Sequence, residues 1–139
     1  MRRNKIELYL HIVWATWNRE PWIMEGMQRR LYRAIENEAK KCGCRVFAIN
    51  GIADHVHMLL SFPTTITIAK LLKQMKGPSS HFINEEFKPN IQFKWQGGYG
   101  AFTVSPWHTE EIKEYIRQQK EHHSANTLQK YLEEIWIDD

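Results

Sequence analysis

The chain has 139 residues, enough for one domain with its own core, and its 42% hydrophobic and 25% charged residues are those of an ordinary globular protein. No stretch approaches the ~20 consecutive apolar residues of a membrane span. The two cysteines, Cys42 and Cys44 in KCGCR, form neither a disulfide framework nor a complete zinc set.

The net charge is +3, but Glu133, Glu134, Asp138 and Asp139 follow the last basic residue. A more basic body therefore precedes an acidic tail, a balance compatible with a polyanionic partner. The opening MRRNKIELYLHIVWATW has basic residues before an apolar run. Glu7 and His11 interrupt that run and no clear small-residue cleavage site follows, so it does not read as a signal peptide. A soluble protein of the reducing cytoplasm is the expectation.

In chain order, residues 6–16 are β-branched and aromatic without Gly or Pro, which predicts a strand. NREPW (18–22) breaks it. From Met24 to Lys41, residues Met27, Leu31, Ala34, Ile35 and Ala39 recur close to helical spacing, with Glu38 a polar exception on the stripe. Gly43 fits a C-terminal stop. RVFAINGI (45–52) is a second strand, Asp54 opens a turn, and HVHMLLSF (55–62) is a third, making a hairpin. Helical spacing returns over 64–87, but Gly77-Pro78 interrupts it. Proline inside a helix costs ~3 kcal/mol or more, so a kink or two helices is expected.

WQGGYGAFTVS (95–105) is glycine-rich and then strand-like. A third helix is expected from about 109 to 123, with Thr109 as N-cap and Glu110 and Glu111 at the positive end of its dipole, and a short last helix over 127–135. The first six elements of this β-α-β-β-α-β-α order match the ferredoxin-like, RRM-like split βαβ arrangement. The predicted fold is α+β: one domain over 1–139, with a four-stranded antiparallel sheet and helices on one face, plus a C-terminal helix that carries the candidate site residues Tyr115 and Gln119. That fold carries many functions, so a site must decide.

The candidate site begins at DHVH. Strand side chains alternate, so His55 and His57 share a face and their imidazoles can converge on one point, as metal ligation requires. Two solvated histidines on an open sheet face are the plainer alternative. TIM-barrel metal hydrolases need about 250 residues, and cupin-like jelly rolls are all-β. His108-Thr109-Glu110 does not supply the second motif of an H-x-[TS] phosphodiesterase. Further ligands must come from elsewhere, and EEIKEYIRQQKEHH (110–123) is the best source. Tyr115 and Gln119 are i and i+4 and share a helix face. A glutamine on an apolar stripe needs a partner for its amide, and a cation would satisfy its oxygen.

HIVWATWNREP, DHVHMLLSFP, LLKQMKGPSS, WQGGYGAFTVS and YIRQQKEHH together resemble the single-tyrosine HUH transposases of the insertion-sequence 200/605 type, including the REP-associated tyrosine transposases. The resemblance implies that His55 and His57 are metal ligands, Tyr115 the nucleophile and Gln119 the third ligand, with Mg²⁺ or Mn²⁺ as cofactor. It further implies cleavage and rejoining of single-stranded DNA through a 5′-phosphotyrosine, at ends marked by imperfect hairpins. The family acts as a homodimer in which one subunit's tyrosine helix can serve the partner's histidines. One departure is Pro78, where relatives usually keep a helix-compatible residue. His122 and His123 match the family's paired histidines.

Around such a site Lys73, Lys76, Lys113, Arg117 and Lys120 are candidates for phosphate contacts. Trp95, Tyr99, Phe102 and Trp107 could stack on bases, or pack the core or a dimer surface. Two other functions remain open at this point. One is a domesticated, non-catalytic RRM-like nucleic-acid binder, although no RNP1-like run is present. The other is a metal-dependent nuclease that hydrolyses DNA without a protein adduct.

Overall fold

A computed structural model describes residues 3–121. The short helix expected over 127–135, and His122 and His123, lie outside those residues.

Strand β1 (Tyr9–Ala15) is followed by α1 (Glu25–Lys41), the hairpin β2 (Arg45–Ile52) and β3 (His55–Ser61), then α2 (Ile68–Phe87), β4 (Gly100–Val104) and α3 (Thr109–Arg117). The strands form one antiparallel sheet in the order β2-β3-β1-β4. This is the expected split βαβ order, with β3 inserted between β2 and β1. β1 and β3 are central and buried on both faces.

Alternation sorts their side chains. Leu10, Ile12 and Trp14 of β1 and Val56, Met58 and Leu60 of β3 face one way, into a core shared with Leu31, Ile35, Leu71, Met75 and Ile83 of α1 and α2. Glu38, the polar exception on the α1 stripe, lies at the α1–α2 seam. It accepts hydrogen bonds from Gln74 at 3.3 Å and Lys41 at 3.2 Å. The other face carries a second, smaller cluster of Ala48, Leu59, Val104 and Ile116, with Tyr9, Phe47 and Ile112 against it. α3 therefore covers the face opposite α1 and α2, and the sheet is enclosed on both sides.

Three local expectations are corrected. α2 is one helix through Pro78, not two. Pro78 has no N–H for the Gln74 carbonyl, but Gln74, Gly77 and Pro78 are exposed, so water can take that carbonyl. Thr109 is the first residue of α3 and not its cap. His108 holds the cap position without a side-chain bond, while Ser105 caps the preceding 3-10 turn, accepting from the Trp107 N–H at 3.1 Å.

α3 itself stops at Arg117. Gln118 leaves helical geometry (φ −99°, ψ 23°) and helical structure resumes at Gln119. Asn50 of β2 donates its amide to the Arg117 carbonyl at 2.9 Å, taking an acceptor that an uninterrupted helix would use itself. Gly43 does end α1 as expected, at φ 89°, with its N–H on the Lys40 carbonyl at 3.0 Å.

Candidate active site

The start of β3 puts His55 and His57 on the face beneath α3, and both are fully buried. Their ring centroids stand 5.0 Å apart at 71°. Gly51 makes this possible. A Cβ there would lie 2.1 Å from the His55 carbonyl oxygen, so β2 passes this close only without a side chain. Tyr115, near the end of α3, is buried over His57, with centroids 6.1 Å apart at 74°. The break at Gln118 re-aims the chain, and buried Gln119 points Oε1 at His55 Nε2, 3.4 Å away. The expected grouping of Tyr115 and Gln119 with the histidines is present, but two helical segments supply it, not one.

Partners behind the pair set the ring orientations. Asp54 Oδ1 lies 2.7 Å from His55 Nδ1 and accepts its proton, which leaves Nε2 as the lone-pair atom toward Gln119. Arg19 Nε reaches Asp54 Oδ2 at 3.5 Å, and its Nη2 lies 3.3 Å from His55 Nδ1. Burial pushes the Asp54 carboxyl up, but its hydrogen bond with His55 and the charge of Arg19 outweigh it and hold the group below its ordinary range. Asn18 and Arg19 both take left-handed backbone geometry (φ 51° and 53°). This turn is pinned by the Gln96 side chain, which accepts from the Asn18 N–H at 3.0 Å, and by the Thr16 carbonyl, which accepts from Arg19 at 2.9 Å. Strained non-glycine residues held this firmly bring the guanidinium to the Asp54–His55 pair. Behind His57, its Nδ1 lies 2.8 Å from Nε2 of His11 on β1.

The donor set fits a divalent cation. With His55 Nδ1 protonated, Nε2 offers a lone pair 3.4 Å from the Gln119 amide oxygen, two donor atoms that one cation can bridge. Among the described residues no group of three or more His, Cys, Asp or Glu could hold a metal, so a cation held by His55 and His57 would take the Gln119 amide oxygen as its further protein donor. Two imidazoles and an amide match neither a closed structural zinc site nor a carboxylate cage.

The other expected residues are more scattered. Lys73 is exposed on α2. The Lys76 ammonium donates to the carbonyls of Gln96, of Gly97 at 3.2 Å and of Gly98 at 3.5 Å, tying the glycine-rich loop to α2. Lys113 and Arg117 pair with Glu110 (4.0 Å) and Glu114 (3.3 Å) on α3 itself. Lys120 donates to Gln28 of α1 at 2.8 Å. Trp95 packs in the core with its indole N–H on Ser79 Oγ at 3.0 Å, and Tyr99 packs against the same core. Phe102 lies beside His11. Trp107, 87% exposed, stands clear of the body.

The sequence reading gave no site role to His11, Asp54 or Asn50. Asp54 next to His55 carried a signal as a carboxylate beside a ligand candidate. His11 and Asn50 become visible only through strand register.

A split βαβ sheet whose central strand carries two buried histidines, faced by a tyrosine and a glutamine from the following helical region, defines an α+β class of protein with its histidine–tyrosine cluster between sheet and helix. The chain matches the family model "Transposase IS200 like" over residues 4–119, and it belongs to that family of transposases. The transposase for insertion sequence element IS200 of Salmonella typhimurium is 29% identical over 117 residues, 80% of this chain and 76% of that protein. The ISDra2 transposase TnpA of Deinococcus radiodurans is 26% identical over 119 residues, 81% and 84% of the two chains. A crystal structure described as that of a transposase from Deinococcus radiodurans R1 superposes with TM-score 0.67 at 25% identity, covering 86% of this chain and 98% of that one. A REP-associated tyrosine transposase bound to a REP hairpin has the same fold, with TM-score 0.65 at 15% identity over 88% and 73% of the two chains.

Proposed function

We propose that this transposase cleaves and rejoins single-stranded DNA through Tyr115. The observation carrying this reading is that Tyr115 and Gln119 are buried against His55 and His57 of the same chain. The Tyr115 phenol oxygen attacks the scissile phosphorus and forms a Tyr–O–P bond. The bond from phosphorus to the 3′ oxygen breaks, and the phenol proton ends on the released 3′-OH. The 5′-phosphotyrosine conserves the phosphodiester, so a second 3′-OH can displace the tyrosine without ATP.

His55, His57 and Gln119 would hold Mg²⁺ or Mn²⁺, which when bound neutralises charge developing on the phosphate oxygens. Burial excludes water from the linkage, which favours transfer over hydrolysis. Asn50, holding the end of α3 over β2, positions the nucleophile. This contact supports a site completed within one chain, and the homodimer belongs to the same reading with each subunit carrying its own tyrosine.

The substrate class is single-stranded DNA with imperfect hairpins. Support comes from the hairpin bound by the REP-associated transposase of the same fold and from the net positive charge here. The test incubates the protein with labelled, hairpin-flanked single strands and Mn²⁺, then runs a denaturing gel. A covalent adduct is expected, and Tyr115→Phe should remove it while changing stability by only about 1 kcal/mol. No adduct with cognate DNA, or one that survives Tyr115→Phe, would overturn the reading. Turnover without an adduct would mean a hydrolytic nuclease.

A further inference from the structure

His11 is one of seven histidines in the chain, and the chemistry above does not call on it. It is fully buried on β1, and its Nε2 lies 2.8 Å from Nδ1 of His57. Strand register makes the contact. Val13 stands opposite His57 and His11 opposite Leu59, so His11 and His57 are diagonal neighbours on one face. Phe102, opposite His11 on β4, closes the other side at 5.9 Å between centroids. The rings of His11 and His57 are tilted by 31° with centroids 5.0 Å apart, so little rotation is left to either.

Two ring nitrogens at this separation share one proton, with one atom donating and the other accepting. Which one donates decides what His57 presents to α3. A ligating nitrogen must be unprotonated, and a neutral imidazole carries its proton on the other nitrogen. For His57 to ligate through Nε2, its proton must sit on Nδ1, and His11 Nε2 must accept it.

We infer that His11 is a positioning residue, which accepts the Nδ1 proton of His57 and so holds that ring with Nε2 presented to the cation. This rests on the ligand set proposed above. The two ligands are then oriented by chemically different groups, His55 by the Asp54 carboxylate and His57 by a neutral imidazole. The difference follows from burial. Asp54 is partly exposed and paired with Arg19, whereas a carboxylate in the fully buried place of His11 would carry a large desolvation cost. A neutral acceptor fixes the tautomer without adding a buried charge.

The experiment has two parts. Nitrogen-15 NMR of the metal-free, DNA-free protein should show His57 protonated at Nδ1, with coupling through the hydrogen bond to His11 Nε2. Mn²⁺ titration followed by EPR should then show His11→Phe binding about ten- to a hundredfold more weakly than wild type. His11→Gln, whose amide oxygen can accept the same proton, should recover most of the loss. A filler of the core would be replaced equally well by Phe, so rescue by Gln alone marks the hydrogen bond. An Nε2-protonated His57 in the wild-type protein, or His11→Phe binding Mn²⁺ as tightly as wild type, would overturn the inference. The tautomer is read without metal or DNA, so its failure is separable from absence of a tyrosine adduct, which bears on the proposed function alone.

Discussion

On one face of the sheet Leu10, Ile12, Trp14, Val56, Met58 and Leu60 interdigitate with two long helices. On the other, the intervening residues of the same two strands include Tyr9, His11, His55, His57 and Leu59, under a helix of nine residues. The first face is held by non-directional apolar contact, which tolerates exchange of shapes at roughly constant volume. The second is held by a chain of directional bonds, Arg19–Asp54–His55 and His11–His57, with Asn50 fastening the covering helix. A nine-residue helix is too short to be stable alone and depends on its packing. In α3, buried apolar contact comes mainly from Ile116, with Ile112 partly buried beside it. Stability is thus concentrated on the α1–α2 side, and the geometry on which the proposed chemistry depends on the α3 side. Substitutions on the two faces should separate these properties.

The largest effect is expected from Trp14→Ala. Trp14 is fully buried against Trp95, with ring centroids 5.8 Å apart at 76°. Truncating a buried tryptophan costs about 3–5 kcal/mol. In a domain of this size that lowers the melting temperature by on the order of 10 °C or more. The variant should nevertheless form adduct at the wild-type rate per folded molecule when assayed below its transition. Calorimetry and the denaturing gel on one preparation check this. Adduct formation falling further than the folded fraction would show that the two faces are coupled.

Asp54→Asn should do the reverse, with a smaller effect. The asparagine oxygen can still accept from His55 Nδ1, but the negative charge and the Arg19 pair are lost. Loss of such an outer partner weakens metal binding about ten- to a hundredfold. Partly exposed ion pairs contribute roughly 0–1 kcal/mol, so the melting temperature should barely move. Mn²⁺ titration by EPR beside a thermal melt reads both quantities. A large fall in melting temperature with unchanged Mn²⁺ affinity would reduce Asp54 to a turn residue.

The same division explains what the sequence made legible. Period-2 and period-3.6 patterns report apolar faces, so the strands, α1 and their order could be read directly, and the split βαβ arrangement follows from that order. The pattern also put His55 and His57 on one face, but not under a helix, because α3 shows only a few apolar residues to mark its docking. Directional contacts between distant segments leave no periodic trace. His11 meets His57 across 46 positions of sequence, and Asn50 meets Arg117 across 67, each through a register or packing that only the folded sheet supplies. The break at Gln118 was hidden for the same reason, since the competing acceptor bond comes from β2. Pro78 misled in the opposite sense, because its local cost falls on a solvated turn of α2.

The smallest effect sharpens the contrast without touching either fold or chemistry. Cys44 is buried in the α1–α2 core, whereas Cys42, two residues earlier, is half-exposed at the end of α1. Burial, with a smaller contribution from neighbouring Cys42, pushes the Cys44 thiol up to about 11. Because the thiolate is the reactive form, an upward shift lowers reactivity: at pH 8 only about one Cys44 in a thousand would be ionised, even before burial restricts access. Iodoacetamide at pH 8 should therefore label Cys42 first and leave Cys44 unmodified until the chain unfolds, as peptide mass mapping would show. Trp14→Ala, by raising the unfolded population, should accelerate Cys44 labelling, while Asp54→Asn should not. Equal labelling of Cys42 and Cys44 in the native protein would mean that the apolar face opens locally, and that the contrast between the two faces is one of side-chain chemistry alone.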